Sequence, residues 1–159
     1  MNESMGQKFG EIGDVVRCLL ERNRLGVLAT QHSGQPHASL IAFTLVEGLR
    51  SIVFATYRDT RKCKNILEDR RVAILVEDRE GSLDRPDCRL VLTAVGDATK
   101  ATEAYREAHI MTHLARHPYL DGFLNSRDCE FMHVAVHAYQ VVRDIDDARW
   151  YEIGELAAQ

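Results

Sequence analysis

The chain has 159 residues, of which 45% are apolar and 28% charged, and its 20 Lys and Arg against 24 Asp and Glu give a formal net charge of -4. That length suits one domain over 1–159, able to bury roughly 70% of its unfolded surface without a disulfide scaffold or a structural metal. The mild acidity argues against general affinity for nucleic acid or an anionic membrane, and no apolar run reaches the roughly 20 residues of a membrane-spanning helix. The N-terminus MNESMGQKFGE lacks a basic-then-apolar leader, so a cytoplasmic protein is expected. Cys18, Cys63, Cys88 and Cys129 are scattered without a CxxC, which points to reduced thiols rather than a zinc site or a disulfide framework.

After a flexible 1–9, the apolar positions Ile12, Val15, Val16, Leu19 and Leu20 recur at helical spacing and predict a leading amphipathic helix. Leu25 to Thr30 and Pro36 to Val46 read as two strands of a hairpin across His32-Ser33-Gly34-Gln35, and Ser51 to Thr56 adds a third strand to the meander. Asp59 to Asp69 is charged, with Cys63, Ile66 and Leu67 able to share one helical face, and Asp59 or Thr60 is placed to cap it. Arg71 to Val76 reads as a strand whose continuous VAILV implies burial on both faces. A polar loop over Glu77 to Asp87 leads into a strand from Cys88 to about Thr99, with Gly96 as a bulge or close-approach point.

Thr102 to Arg116 has helical composition and Pro118 marks its end. In the last long strand, Phe131 to Val142, alternation sets Phe131, His133, Ala135, His137 and Tyr139 on one face and Met132, Val134, Val136 and Ala138 on the other. Apolar residues on both faces would need a second subunit to cover the outer one. Arg143 to Gln159 reads as a partly ordered acidic tail, with 152–159 as a flexible end. The whole predicts a mainly β protein with flanking helices, its antiparallel sheet closing into a barrel. A Rossmann sheet fits badly, and GxGxxG is absent.

The richest stretch is FATYRDTRKCKN, where a strand end delivers Thr56, Thr60, Arg61, Lys62 and Lys64 into a turn and helix start. Free backbone N–H groups, hydroxyls and a guanidinium in that setting match a phosphate; a solvated, ion-paired helix face is the alternative. His109, His113 and His117 fall at i, i+4 and i+8, but with no HExxH carboxylate they read as a polar stripe facing water or a partner, not as metal ligands. His133 and His137 stand about 13 Å apart on a straight strand and cannot share an ion. Tyr139 is expected in the core, whereas Trp150, a large ring in a polar tail, is a candidate to line a cofactor cleft. No serine sits in a GxSxG setting, so hydrolase chemistry has no support.

Taken in order, LGVLAT, GQPHASLIAF, SIVFATYRDTRKCKNI followed at once by RRVAILVED, and CRLVLTAVGDA resemble the pyridoxamine phosphate oxidase-like split barrels that bind flavin mononucleotide (FMN), over about residues 12 to 100. The resemblance implies a six-stranded Greek-key barrel and a homodimer with a flavin in each of two clefts at the subunit interface. It implies that Thr60, Arg61 and Lys62 hold the phosphate, that Thr56 holds the ribityl chain, and that Leu40 and Ile41 lie along the isoalloxazine through their backbone. Arg89 falls where the family often sets a side chain close to the flavin. The biosynthetic oxidase itself has an Arg-x-Val-Leu-Leu-Lys strand where this chain reads SLIAFT, and an Arg-Leu-x-Pro ending where it reads RWYEIGELAAQ. The expectation is therefore an FMN-dependent oxidoreductase acting on an unidentified small molecule. The alternative is a non-enzymatic module holding flavin or haem, since some relatives of this fold bind and help to degrade haem. Flavin adenine dinucleotide (FAD), deazaflavin and haem are the alternative ligands, and FAD is expected to bind less well than FMN if the phosphate end is enclosed.

Overall fold

A computed structural model describes residues 3–78, 90–143 and 147–156, with side chains from Ile12 onward. Helix α1 (Glu3–Arg22) leads into strands β1 (Leu25–His32), β2 (Gln35–Val46) and β3 (Ser51–Tyr57), then α2 (Arg61–Glu68), β4 (Arg71–Glu77) and β5 (Leu90–Lys100). Helix α3 (Glu103–Arg116), a 3-10 turn (Pro118–Leu120) and the single-turn α4 (Asp121–Leu124) precede β6 (Cys129–Arg143), β7 (Asp147–Glu152) and α5 (Ile153–Leu156). Left-handed backbone at Ser33 and Gly34, and again at Glu47 and Gly48, makes the two tight reversals of the β1–β2–β3 meander. Among the described residues, no helix is long and apolar enough to cross a membrane.

All strand pairs are antiparallel in the order β3-β2-β1-β4-β5-β6-β7, and a further β3–β6 pairing closes the first six into a ring. Strand β6 is long enough to serve two neighbours on one edge: Cys129 to Ala135 pairs with β3, and Ala138 to Arg143 pairs with β7. The seventh strand comes from the stretch read as a partly ordered tail. That expectation is corrected by the ladder to β6 and by Leu156, buried in the main core. The expected flexible ends are folded as far as they are described, since α1 begins at Glu3 and α5 ends at Leu156.

The ring is filled by Leu28, Phe43, Ile52, Phe54, Ile74, Leu92 and Met132, and Val16, Leu19 and Leu20 of α1 join the same core. Strict alternation along β6 does not hold. The β5–β6 register shifts between Val95 and Gly96, so β6 carries one extra residue at His137 and the inward set passes from Met132, Val134 and Val136 to Tyr139 and Val141. Gly96 makes this possible, because a Cβ there would lie 2.1 Å from the Ala135 carbonyl oxygen. Tyr139 thus enters the core, where its hydroxyl donates to the Leu49 carbonyl at 2.7 Å, and burial pushes its pKa up.

Two burial expectations change. The outer face of the first half of β6 is covered within the chain, where Phe131 packs with Val46, Val53 and Leu124 under α3 and α4. Strand β4 is buried on one face only: Val72, Ile74 and Val76 point inward, while Leu75 stays 42% exposed because no helix of this chain lies over it. In register, Val27 stands opposite both Leu40 and Leu75 on that outer face, and Leu40 is 62% and Val27 39% exposed.

Candidate functional site

The site is organised where β3 hands over to α2. The end of β3 is held by β6, with Thr56 opposite Glu130 and Tyr57 opposite Cys129, and the Arg58 N–H donates to the Asp128 carbonyl at 2.8 Å. Thr60 is extended and caps α2, its hydroxyl oxygen accepting from the Cys63 N–H at 3.3 Å and donating to the Tyr57 carbonyl at 2.9 Å. The Thr56 and Thr60 hydroxyls are 2.8 Å apart. Helix α2 turns Cys63, Asn65 and Ile66 inward, and the Asn65 amide donates to the Thr30 hydroxyl at 3.0 Å, tying the helix to β1.

The charge distribution there is selective. Arg58 pairs with Glu130 at 2.8 Å, Lys64 with Asp59 at 2.5 Å, Arg70 with Asp97 at 3.3 Å and Arg71 with Asp69 at 2.5 Å. Arg61 and Lys62, the first two residues of α2, have no ion-pair partner among the described residues, and the first turn holds no acidic residue. The cap leaves the Arg61 and Lys62 N–H groups outside the helical ladder, so unpaired cations and unpaired donors meet at the positive end of one helix. An anion with several acceptor oxygens fits this set.

Beside it the barrel wall opens. Pairing of β2 with β3 runs from Val46 opposite Ser51 only as far as Phe43 opposite Phe54, so the β2 segment from Gln35 to Ala42 is laddered to β1 alone. Continuing that register sets Ile41 across from Thr56 and Leu40 across from Tyr57. Leu40 and Ile41 therefore lie on one side of the parting and Thr56, Thr60, Arg61 and Lys62 on the other. Ile41 points into the core and Leu40 outward, while their backbone edge is the kind of surface that can hydrogen-bond a planar heterocycle.

Two expected site residues are not gathered here. Trp150 is exposed on β7 opposite Gln140, whereas Thr56 is opposite Glu130. Ten residues of β6 separate the two, about 33 Å at 3.3 Å per residue. Trp150 instead ends a register row across the outer face, from Leu40 through Val27, Leu75, Thr93 and Gln140. Arg89 lies outside the described residues, as does Cys88; Cys18, Cys63 and Cys129 are free thiols.

The histidine stripe is not a water-facing surface. His113 and His117 are completely buried, and each member of the stripe meets β2 or the turn that follows it. His109 Nε2 lies 3.9 Å from the Glu47 carboxylate, His113 Nδ1 is 2.8 Å from the Thr44 hydroxyl, and His117 Nε2 donates to the Phe43 carbonyl at 2.8 Å. Burial, with His117 and then Arg116 nearby, pulls the His113 pKa down to about 4, and burial lowers that of His117 as well. Arg116 donates to the Leu20 and Glu21 carbonyls at 2.8 Å each, joining α3 to the C-terminus of α1. At the other end Glu47 accepts from the Ser51 hydroxyl at 2.6 Å and the Tyr105 hydroxyl at 2.9 Å. This polar seam was missed in the sequence; Thr44, a hydroxyl amid apolar β2 residues, was its one local sign. Among the described residues, no group of His, Cys, Asp and Glu is placed to hold a metal ion.

A six-strand ring with β2 and β3 parted, and a cationic helix start at the parting, define a split barrel with an anion-binding mouth. The family model described as pyridoxamine 5'-phosphate oxidase matches residues 12–140, and the chain belongs to that family. No curated protein sequence matches it. Among solved structures, it is similar to a haem-binding protein from Mycobacterium smegmatis (TM-score 0.82, 20% identity, covering 92% of this chain and 60% of that one). It is also similar to a Clostridium acetobutylicum protein related to general stress protein 26 of Bacillus subtilis (TM-score 0.72, 13% identity, 92% and 98% covered). A third is an FAD-binding protein from Mesorhizobium loti (TM-score 0.63, 12% identity, 77% and 88% covered). At these identities the likeness is one of fold.

Proposed function

We propose that the protein binds a flavin, with the FMN portion lying in the parting between β2 and β3, and serves in the cytoplasm as a flavin-dependent oxidoreductase for a small molecule. The observation that carries this reading is the pair of unpaired cations, Arg61 and Lys62, on the acid-free first turn of α2, while the four neighbouring cations are all in ion pairs. The Thr60 and Thr56 hydroxyls continue from the phosphate position toward the parting, where the backbone of Leu40 and Ile41 would meet the ring. The bound flavin supplies the electron transfer; the chain supplies anchor, donors and a shaped cleft. Oxidation of a vitamin phosphate is not proposed. The strand SLIAFT lacks the basic residues of the biosynthetic oxidase, and its Thr44 is occupied by His113 under α3.

The working unit in this reading is a homodimer. The apolar strip of Leu40, Val27 and Leu75 is open on each copy, and a two-fold apposition would carry Trp150 of one copy toward Leu40 of the other. A non-enzymatic haem-binding module is the second reading, supported by the fold likeness to the Mycobacterium smegmatis protein. Against it, the buried rings of His113 and His117 face β2 rather than an open cleft.

Titration with FMN and with haemin, followed by visible absorption, separates these readings. Arg61→Ala with Lys62→Ala removes two charge-assisted partners, each worth about 1.5–3 kcal/mol, so FMN affinity should fall about a hundredfold or more. Unchanged FMN affinity in that variant removes the phosphate site. A Soret band on haemin addition without flavin binding replaces the oxidoreductase by the haem module. Light scattering at micromolar protein should give twice the 18.0 kDa of one chain, and a value of 18.0 kDa refutes the dimer.

A further inference from the structure

We infer that the phosphate end of this site is not a terminus but continues into a second pocket shaped for an adenosine, so that FAD is bound in preference to FMN. The inference rests on the flavin reading above and deepens it. A hollow of about 530 Å3 runs along the outer side of α2, lined by Tyr57, Arg58, Asp59, Lys64, Leu67 and Asp128. That volume is within the range of about 300–1,000 Å3 usual for small-ligand pockets. The hollow adjoins the anion site by construction: Asp59 precedes the Thr60 cap, and Lys64 and Leu67 stand about 4.5 and 9 Å along the helix axis from Arg61 at 1.5 Å per residue. That is the reach of a ribose and a base beyond a diphosphate.

Its chemistry changes along this length in the order an adenosine diphosphate requires. Cations come first, Arg61 at the helix start and Lys64 one turn on. Carboxylates follow at the rim, Asp59 in an ion pair with Lys64 and Asp128 with no ion-pair partner among the described residues; a ribose diol donates to such oxygens. An apolar surface completes it. Tyr57, 50% exposed, makes a T-shaped contact with Phe123 at 4.6 Å between centroids, and Leu67 is 57% exposed. An exposed leucine beside an exposed aromatic ring offers a stacking base what water does not. The expectation that FAD binds more weakly held for an enclosed phosphate end; here that end opens onto the hollow.

The test compares FAD and FMN by fluorescence titration of the full chain and of two exposed-site variants, Leu67→Ser and Asp128→Ala, with thermal denaturation to show that each is folded. The wild type should bind FAD about tenfold more tightly than FMN, and each variant should lose about tenfold for FAD while its FMN affinity stays within twofold. Equal affinity for the two flavins, or equal loss for both in the variants, overturns the adenosine pocket and leaves the flavin reading standing. Failure of the wild type to bind either flavin overturns both. With FMN already bound, NADH is the third arm: if the variants weaken NADH and not FAD, the adenosine belongs to a reductant and the FAD assignment falls.

Discussion

Acidification from pH 6.5 toward 4 should destabilise this protein through its buried histidines before most carboxylates titrate. His113 has no exposed surface, bonds the Thr44 hydroxyl through Nδ1 and has no hydrogen-bond partner at Nε2, so an added proton would bring an uncompensated charge into the seam between α3 and β2. Its pKa is drawn from 6.5 to about 4, by burial first and then by His117 and Arg116. The unfolded chain therefore binds this proton at higher pH than the folded one, and stability rises with pH across the window between the two values. Above pH 6.5 the contribution is complete; at pH 4 about 3 kcal/mol has been lost, at 1.36 kcal/mol per unit. His117 shifts in the same direction and adds to the loss. Urea denaturation at pH 7.5, 6 and 5 measures this, with His113→Asn as the non-titrating comparison. The variant is expected to be less stable at pH 7.5 but to have a flatter pH dependence. An equal slope in both proteins, or stability that grows on acidification, would refute the argument.

Three other substitutions probe the elements that set the site. Gly96→Ala forces a Cβ against the Ala135 carbonyl and should cost about 3 kcal/mol or more, read as a large drop in thermal midpoint; an unchanged midpoint would mean the β5–β6 bulge is absent. Thr60→Ala removes the cap of α2 and the Thr56 contact, with an expected loss of about 0.5–2 kcal/mol in denaturant unfolding, and Thr60→Ser should restore most of it. Tyr139→Phe deletes the donor to the buried Leu49 carbonyl, and a loss of about 1–3 kcal/mol is expected; full wild-type stability would show that water or a relaxed backbone replaces the bond.

Local pattern was enough for much of the chain. Alternation and turn residues set out strands 25–30, 36–46 and 51–56, helical spacing set out 12–20 and 61–68, and the run TYRDTRK located the helix start at which Arg61 and Lys62 now stand unpaired. These features depend on neighbours within a few residues, and the sequence displays those directly. Which cations remain free depends on partners far along the chain: Glu130 for Arg58 and Asp97 for Arg70. The parity of β6 turned on one extra residue against β5, which a pattern of period two cannot register. The acidic tail became β7 because β6 offered it an open edge, and the histidine stripe became the seam of α3 because Thr44 and the Phe43 carbonyl lie beneath it. The sequence determined by itself the elements and the chemistry of the α2 turn; only the tertiary structure decided which polar groups found partners, because pairing and burial are set by closure of the barrel and docking of α3, between residues up to 74 positions apart.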